Sequence, residues 1–198
     1  MIFFIVSIIF LGVFISIGII FSNLTNKPET KDYDYTINFG IENGDYTREY
    51  IDNLKYEEVN ISSEFGYKLY GKFFEKPGSK KAIVLVHGYT WTHAGTIKYL
   101  DMFKKKEYNV LLFDNRYHGS SGGKFTSFGF FEKYDLKTCV NWLFEKLGKN
   151  AKIGVMGESL GGGTVIQYSA IDNRASFVIA DCPYSDLKKQ LGYRFKKD

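Results

Sequence analysis

The chain opens with an unbroken apolar stretch and continues as short apolar runs that alternate with helical patterns. Residues 2–21 read IFFIVSIIFLGVFISIGIIF and carry no charge. A helix needs about twenty such residues to cross the hydrocarbon core of a bilayer. A secretory signal would have a basic start, a shorter apolar core and a small-x-small cleavage site, none of which is present. We therefore predict an uncleaved membrane anchor over residues 1–22, with a cleaved signal or a buried core helix as alternatives.

The next residues, 23–55, are polar, rich in Tyr and Asp and weakly periodic, which is typical of a juxtamembrane spacer with one short helix. From residue 56 the pattern changes. The runs Glu57–Ser63 and Lys68–Glu75 flank Glu64–Tyr67, and this arrangement predicts an antiparallel hairpin.

Strand-length apolar runs and helical patterns then alternate to the end of the chain. The predicted strands are Lys81–His87, Asn109–Phe113, Lys152–Met156 and Ser176–Asp181. The predicted helices are Thr96–Lys106, Phe130–Leu147 and Leu160–Ile171. Alternating strands and helices predict a mostly parallel sheet covered on both faces, with the antiparallel hairpin at its edge. The fold class is therefore a three-layer α/β sandwich, formed by one domain over residues 56–198.

Composition narrows the classes of protein to which the chain can belong. Its 198 residues are 44% hydrophobic and 24% charged, which is typical of one globular domain and excludes disordered and collagen-like proteins. The net charge of +4 comes from scattered lysines without a nucleic-acid-binding motif, so no nucleic-acid partner is predicted. Two cysteines are too few for a disulfide framework. No His, Cys and Asp cluster has metal-ligand spacing, so neither a metal nor a cofactor is predicted.

The residues that indicate chemistry lie between a predicted strand and a predicted helix. The sequence Gly157-Glu158-Ser159-Leu160-Gly161-Gly162-Gly163 follows the run Lys152–Met156 and opens the next helix. A nucleophile elbow needs this context, because the serine occupies a strained turn and small residues let strand and helix approach each other. We predict that Ser159 is a nucleophile and that Gly157, Gly161 and Gly162 shape the elbow. A glycine-rich turn without catalytic function is the alternative.

An acyl-transfer serine also needs donors for the oxyanion that forms in the reaction. The backbone N–H of Leu160, directly after the serine, is the first candidate. The loop His87-Gly88-Tyr89-Thr90-Trp91 follows a buried strand and makes the Tyr89 N–H the second. Gly88 would permit close backbone approach, while the rings of Tyr89 and Trp91 would either line an acyl pocket or pack beneath it.

Three motifs in this order make residues 56–198 resemble the α/β-hydrolase superfamily, in particular its bacterial serine esterases, lipases and aminopeptidase-like members. They are the His87-Gly88-Tyr89 loop, the Ser159 elbow and the segment Asp114-Asn115-Arg116-Tyr117-His118-Gly119-Ser120-Ser121-Gly122. The last is similar to the family's D-x-R-G-H-G-x-S loop, with Tyr117 where glycine is usual. The resemblance implies that Asp114, Arg116 and His118, like His87 and Gly88, organise the loops around the site.

In that superfamily the serine is followed along the chain by an acid and then a histidine. Here the three histidines, His87, His93 and His118, all precede Ser159. Asp181 and Asp186 are candidate acids, but the pattern favours Asp181 as the end of a strand and Asp186 as the start of a helix. We expect the chain to be truncated or interrupted before the triad is complete, and His93 or His118 as the base is a remote alternative.

The predicted function is a membrane-anchored serine hydrolase that acts on an ester or related acyl substrate. The alternative is a catalytically inactive, membrane-tethered remnant or binding module. Lys27 and Lys31 after the span weigh slightly for a cytoplasmic domain. Anchored hydrolases more usually face outward, so the predicted location is the cell membrane with the domain leaning towards the outside.

Overall fold

A computed structural model describes residues 2–194 of the chain. Met1 and residues 195–198, which the predicted anchor and the predicted domain include, lie outside the described residues. The helices are α1 (Ile2–Asn26), α2 (Tyr33–Glu42), α3 (Arg48–Asp52), α4 (Leu100–Lys104), α5 (Glu132–Leu147), α6 (Leu160–Ser169) and α7 (Leu187–Arg194), and a 3₁₀ helix (His93–Tyr99) precedes α4. The strands are β1 (Glu57–Ser62), β2 (Lys68–Phe74), β3 (Lys81–Val86), β4 (Asn109–Phe113), β5 (Lys152–Glu158) and β6 (Phe177–Asp181).

The six strands form one sheet in the order β1-β2-β4-β3-β5-β6. The first two strands pair antiparallel, and β2 is also antiparallel to β4. The remaining pairs, β4 with β3, β3 with β5 and β5 with β6, are parallel. The predicted mostly parallel sheet with an N-terminal antiparallel hairpin is therefore confirmed.

Apolar side chains alternate between the two faces of the central strands. On β3, Ala82, Val84 and Val86 pack on the face covered by α5 and α6, while Ile83 and Leu85 pack on the opposite face. That opposite face is covered by α2, the 3₁₀ helix and α4. Successive side chains of a strand point to opposite sides, so a run that is apolar throughout can bury both faces. The three-layer α/β sandwich is thus confirmed.

The segment predicted as a spacer contributes to this packing. It contains two helices, α2 and α3, where the sequence indicates one. The side chains of Asp32 and Thr47 cap them by accepting hydrogen bonds from backbone N–H groups. Ile37 of α2 is fully buried against the sheet. Because this polar segment is only weakly periodic, its sequence does not predict both helices. The domain boundary placed at residue 56 stays a prediction.

The first predicted crossover helix, Thr96–Lys106, differs from the structure. The chain turns earlier, in the 3₁₀ helix that begins at His93, and becomes α-helical only at Leu100. Two contacts explain the early start. The Thr92 hydroxyl accepts a hydrogen bond from Ala94 N, and His93 N donates to the Asp114 carboxylate at 2.7 Å.

Helix α1 is long and apolar enough to cross a membrane. An 18-residue window within the span Phe3–Asn26 has a mean hydropathy of 2.9, and none of that window is buried. A signal sequence near an N-terminus has the same properties, so anchoring stays a prediction.

Candidate active site

Ser159 is the single residue between β5 and α6. Its backbone has φ 55° and ψ −110°, a conformation that L-residues rarely adopt. Two backbone hydrogen bonds hold it there: Ser159 N donates to Asp181 O at 2.9 Å, and Ser159 O accepts from Gly163 N at 3.0 Å. The side chain is exposed. The strained turn therefore presents the hydroxyl at the carboxyl end of a central parallel strand.

Backbone atoms crowd the elbow so closely that two of its glycines have no room for a side chain. A Cβ on Gly157 would lie 2.1 Å from Gly161 O, and a Cβ on Gly161 would lie 2.1 Å from Val86 O. At Gly162 the nearest atom is Asp181 O at 3.0 Å, which is tight but less restrictive. Close contact of α6 with β5 therefore requires glycine at 157, and close contact of α6 with the end of β3 requires glycine at 161.

The loop after β3 lies beside the serine. A Cβ on Gly88 would lie 3.5 Å from Ser159 Cβ, so the two backbones are close. Ser159, Gly88 and Tyr89 line one cavity of about 170 Å³, together with Trp91. Leu160 is the first residue of α6, directly after the serine, and its side chain is buried. The structure therefore brings the predicted nucleophile and the residues of both predicted oxyanion donors to one place.

Two buried histidines tie the loops around this cavity together. His87 Nε2 accepts a hydrogen bond from Asn115 N at 2.9 Å, while its Nδ1 lies 2.7 Å from Gly88 O. Burial lowers the pKa of His87 to about 3, so the ring is neutral at physiological pH. His118 Nε2 accepts from Thr90 N at 3.2 Å, and burial lowers its pKa too. Both rings connect the loop after β3 with the loop after β4.

Asp114, at the start of the loop after β4, organises its neighbours through its carboxylate. The oxygens accept hydrogen bonds from His93 N, from His93 Nδ1 at 2.9 Å and from Ser120 N at 3.0 Å. Burial raises the pKa of this carboxyl, but the hydrogen bonds from His93 outweigh it and the net shift is downward. With the ring of His93 held on Asp114, no histidine of residues 2–194 hydrogen-bonds the Ser159 hydroxyl.

Arg116 lies in an aromatic enclosure on the other side of the same loop. Its guanidinium carbon lies 4.5 Å from the centre of the Phe131 ring, 4.9 Å from Phe125 and 5.4 Å from Tyr67. Cation–π attraction of this kind strengthens when the cation is removed from water. The contact links the loop after β4 to the start of α5. Tyr117, which stands where the family usually has glycine, adopts φ 67° and therefore bears backbone strain that glycine would avoid.

Asp135 of α5 lies beside this enclosure, where it contacts Tyr67, and its pKa is raised. Its carboxylate accepts hydrogen bonds from the hydroxyls of Ser63 and Tyr67, each at 2.6 Å. Burial nevertheless raises its pKa to about 6. Because the folded chain then binds the proton more tightly than the unfolded chain, the free energy of unfolding falls as pH rises from about 4 to 6.

Replacing Asp135 by asparagine is expected to remove this fall in the free energy of unfolding between about pH 4 and 6. The pKa shift corresponds to a loss of free energy of unfolding on the order of 3 kcal/mol across this pH range. Denaturant unfolding of Asp135→Asn and wild type across pH 4–7, in detergent, measures the difference. Other titrating groups cancel in this comparison, including Asp114, whose lowered pKa acts below pH 4 and in the opposite direction. Identical pH profiles for the two proteins would contradict the prediction.

Comparison with known proteins identifies the family. A family model described as serine aminopeptidase, S33, matches residues 77–197. The chain belongs to this family of α/β-hydrolases. It is 34% identical over 186 residues to the uncharacterised protein YqkD of Bacillus subtilis, covering 93% of this chain and 61% of YqkD. It is 31% identical over 132 residues to thiohydrolase aneE of Aspergillus aculeatus, covering 65% of this chain and 42% of that protein.

Among solved structures, the Pyrococcus furiosus esterase Pf2001 is similar with a TM-score of 0.63 and 33% identity. The match covers 77% of this chain and 57% of the esterase. The chain thus spans roughly three-fifths of the length of YqkD, at 61%, and a similar share of this esterase. These matches confirm the superfamily that the three motifs indicate.

Sequence analysis misses the contacts that Lys98 and Tyr99 make with residues at the site. Glu158 precedes the serine and pairs with Lys98 at 2.9 Å. The Asp181 carboxylate accepts from the Tyr99 hydroxyl at 2.6 Å, so this candidate acid is already engaged. Asp186 accepts from Lys189 N at 2.9 Å and caps α7, as predicted. The contacts of Glu158 and Asp181 join residues far apart along the chain, so no local pattern signals them.

Helix α2 also reaches the site, which its composition does not suggest. Thr36, Phe39 and Gly40 line the cavity that contains Ser159. They lie at helical spacing on one side of α2, and this spacing is the only signal that the sequence offers. The segment between α1 and β1 therefore forms one wall of the candidate active site.

Proposed function

We propose that this protein is a membrane-anchored serine hydrolase of the α/β-hydrolase type, with Ser159 as the nucleophile and an ester or related acyl compound as substrate. The observation that carries the proposal is the strained backbone of Ser159, at φ 55°, beside Gly88 and Tyr89. Strain at one exposed serine, held by close-packed backbone, is typical of a functional turn.

In the proposed reaction the Ser159 hydroxyl oxygen attacks the acyl carbon while its proton passes to a base. The backbone N–H groups of Leu160 and Tyr89 stabilise the negative oxygen of the tetrahedral intermediate. The intermediate collapses to an acyl-enzyme, and the leaving alcohol or thiol takes the proton from the base. Water then attacks the acyl-enzyme by the same route and releases the acid.

We propose that the base and the acid belong to residues beyond position 198, in a longer chain. Two observations support this. The three histidines of this sequence are held by other groups, and the chain spans 61% of YqkD. His87 and His118 have lowered pKa values and positions in the loops that suit a supporting role.

The substrate class is proposed from the names of the relatives. One relative is named as a thiohydrolase and one similar structure as an esterase. Both reactions transfer an acyl group to water through the same type of intermediate. An oxygen ester or a thioester is therefore proposed before a peptide, and the apolar α1 is proposed as the anchor.

Covalent labelling of the full-length protein in detergent with a fluorophosphonate probe tests the proposal. We expect one adduct, mapped to Ser159 by mass spectrometry, and none in Ser159→Ala. Ser176→Ala is the matched control, because Ser176 is also an exposed serine beside a strand. An adduct on another residue, or equal labelling of Ser159→Ala, would contradict the proposal.

The second candidate is a catalytically inactive binding module. One observation favours it, which is that no histidine of residues 2–194 hydrogen-bonds the Ser159 hydroxyl. A folded full-length protein that neither reacts with the probe nor hydrolyses esters would support this candidate.

A further inference from the structure

We propose that the mouth of the Ser159 cavity lies at the bilayer surface and that the substrate is an amphiphile held in that bilayer, with its acyl ester at headgroup depth. The inference rests on the proposed function, because it requires α1 as an anchor and Ser159 as a nucleophile. It adds where the substrate resides and from which side it enters.

The first argument is that α1 ends on the loops of the site. The Tyr89 hydroxyl donates a hydrogen bond to Thr25 O at 2.7 Å, and Thr126 N donates to Asn26 O at 2.8 Å. Tyr89 belongs to the loop beside Ser159, and its ring stacks on Phe128 at 5.3 Å. The last turn of the proposed membrane helix therefore contacts the loop of Tyr89, which lines the cavity, and the loop after β4.

The second argument concerns the short connection after the helix. Only residues 27–32 separate α1 from α2, and Lys31 N within it donates to Thr90 O at 2.7 Å. The connection is thus fixed to the same loop and does not act as a flexible spacer. Since the hydrophobic helix must end near the bilayer surface, the site loops must lie near that surface as well.

The third argument is the composition of the surface near the connection after α1 and near the loop after β4, which the end of α1 contacts. Phe130 is 61% exposed, and Tyr35 is 47% exposed. Lys133 lies 5.3 Å from the centre of the Phe130 ring, and Lys31 lies 4.7 Å from that of Tyr35. Tyrosine is enriched at membrane–water interfaces, an exposed phenylalanine ring gains free energy when it leaves water, and a neighbouring lysine can keep its amine in water.

The fourth argument is the size of the cavity. Its volume of about 170 Å³ is small compared with pockets that enclose a whole small molecule, roughly 300–1,000 Å³. Among the described residues it has room for the reacting end of a substrate only. A long acyl chain would remain outside, and the bilayer beside α1 offers it an apolar environment.

Quenching of tryptophan fluorescence by brominated lipids tests the position of the cavity without any reaction. Two variants, with all other tryptophans replaced by phenylalanine, retain only Trp91 or only Trp142. Both side chains are partly buried, but Trp91 lines the cavity while Trp142 packs on the opposite face of the sheet against Phe73. In vesicles of phosphatidylcholine brominated near the headgroup, we expect Trp91 to be quenched severalfold more than Trp142. Equal quenching, or no quenching of Trp91, would overturn the inference.

A kinetic comparison tests the substrate. We expect Phe130→Asp to lower hydrolysis of a long-chain ester embedded in vesicles by roughly tenfold, because its interfacial burial is lost. Hydrolysis of a soluble short-chain ester should not change, since Phe130 lies outside the cavity. Equal loss on both substrates, or on neither, would overturn the substrate assignment.

Labelling with the fluorophosphonate probe separates the two proposals. Labelled protein with unquenched Trp91 would overturn this inference and leave the hydrolase intact. Quenched Trp91 in a protein that the probe never labels would overturn the substrate assignment together with the proposed function.

Discussion

Replacing Ser159 by alanine should lower the rate of ester hydrolysis by the full-length protein at least about 10³-fold. In the proposed reaction the hydroxyl forms the covalent intermediate, and the proposed oxyanion donors and binding groups alone would give only a small residual acceleration. Initial rates with a chromogenic short-chain ester measure the effect. Ser176→Ala, the control used for labelling, should keep the wild-type rate. A Ser159→Ala protein with a rate within tenfold of wild type would exclude Ser159 as the nucleophile.

Comparing Ser159→Gly with Ser159→Ala separates the loss of the hydroxyl from the effect of backbone strain on stability. Both variants lack the nucleophile, but glycine adopts φ 55° and ψ −110° without the clash that a Cβ creates. We expect Ser159→Gly to be more stable to denaturant than Ser159→Ala by about 1–2 kcal/mol. The same stability in both variants would mean that the elbow stores no strain.

The strands and the elbow could be predicted because their signals are local. The strand Asn109–Phe113 is apolar at every position after Asn109 and buried at every position, and its predicted bounds match those of β4. Ser159 is recognisable because glycines at fixed spacing follow a buried strand. In both cases the residues that determine the structure are neighbours in the chain.

The wall of the cavity could not be predicted because its contacts connect distant segments. Phe39 of α2 reaches the Trp91 ring, 4.8 Å between centres, and the Tyr89 hydroxyl reaches Thr25 O. In a polar segment with weak periodicity, one buried apolar residue, Ile37, gives too little pattern to reveal a packed helix. The same limit applies to the 3₁₀ helix, whose start depends on a hydrogen bond from His93 to Asp114.

Replacing Gly161 by alanine should strongly destabilise the protein while leaving the serine in place. The added Cβ would lie 2.1 Å from Val86 O and 2.9 Å from His87 O, which are backbone atoms at the end of a central strand. Neither can move without disturbing the sheet, so α6 must shift away from β3. We expect the free energy of unfolding to fall by roughly 3 kcal/mol or more, the upper end for overpacking, and probe labelling of Ser159 to be lost.

Gly192→Ala is the matched control for this prediction. Gly192 also lies in a helix, α7, but a Cβ there would meet no atom within 4 Å. Since alanine is the better helix former, stability should be unchanged or higher by up to about 1 kcal/mol. Denaturant unfolding of both variants in detergent, with labelling of the same samples, gives the comparison. If Gly161→Ala were as stable and as reactive as Gly192→Ala, the close contact between α6 and β3 would not be what holds Ser159 in its strained turn.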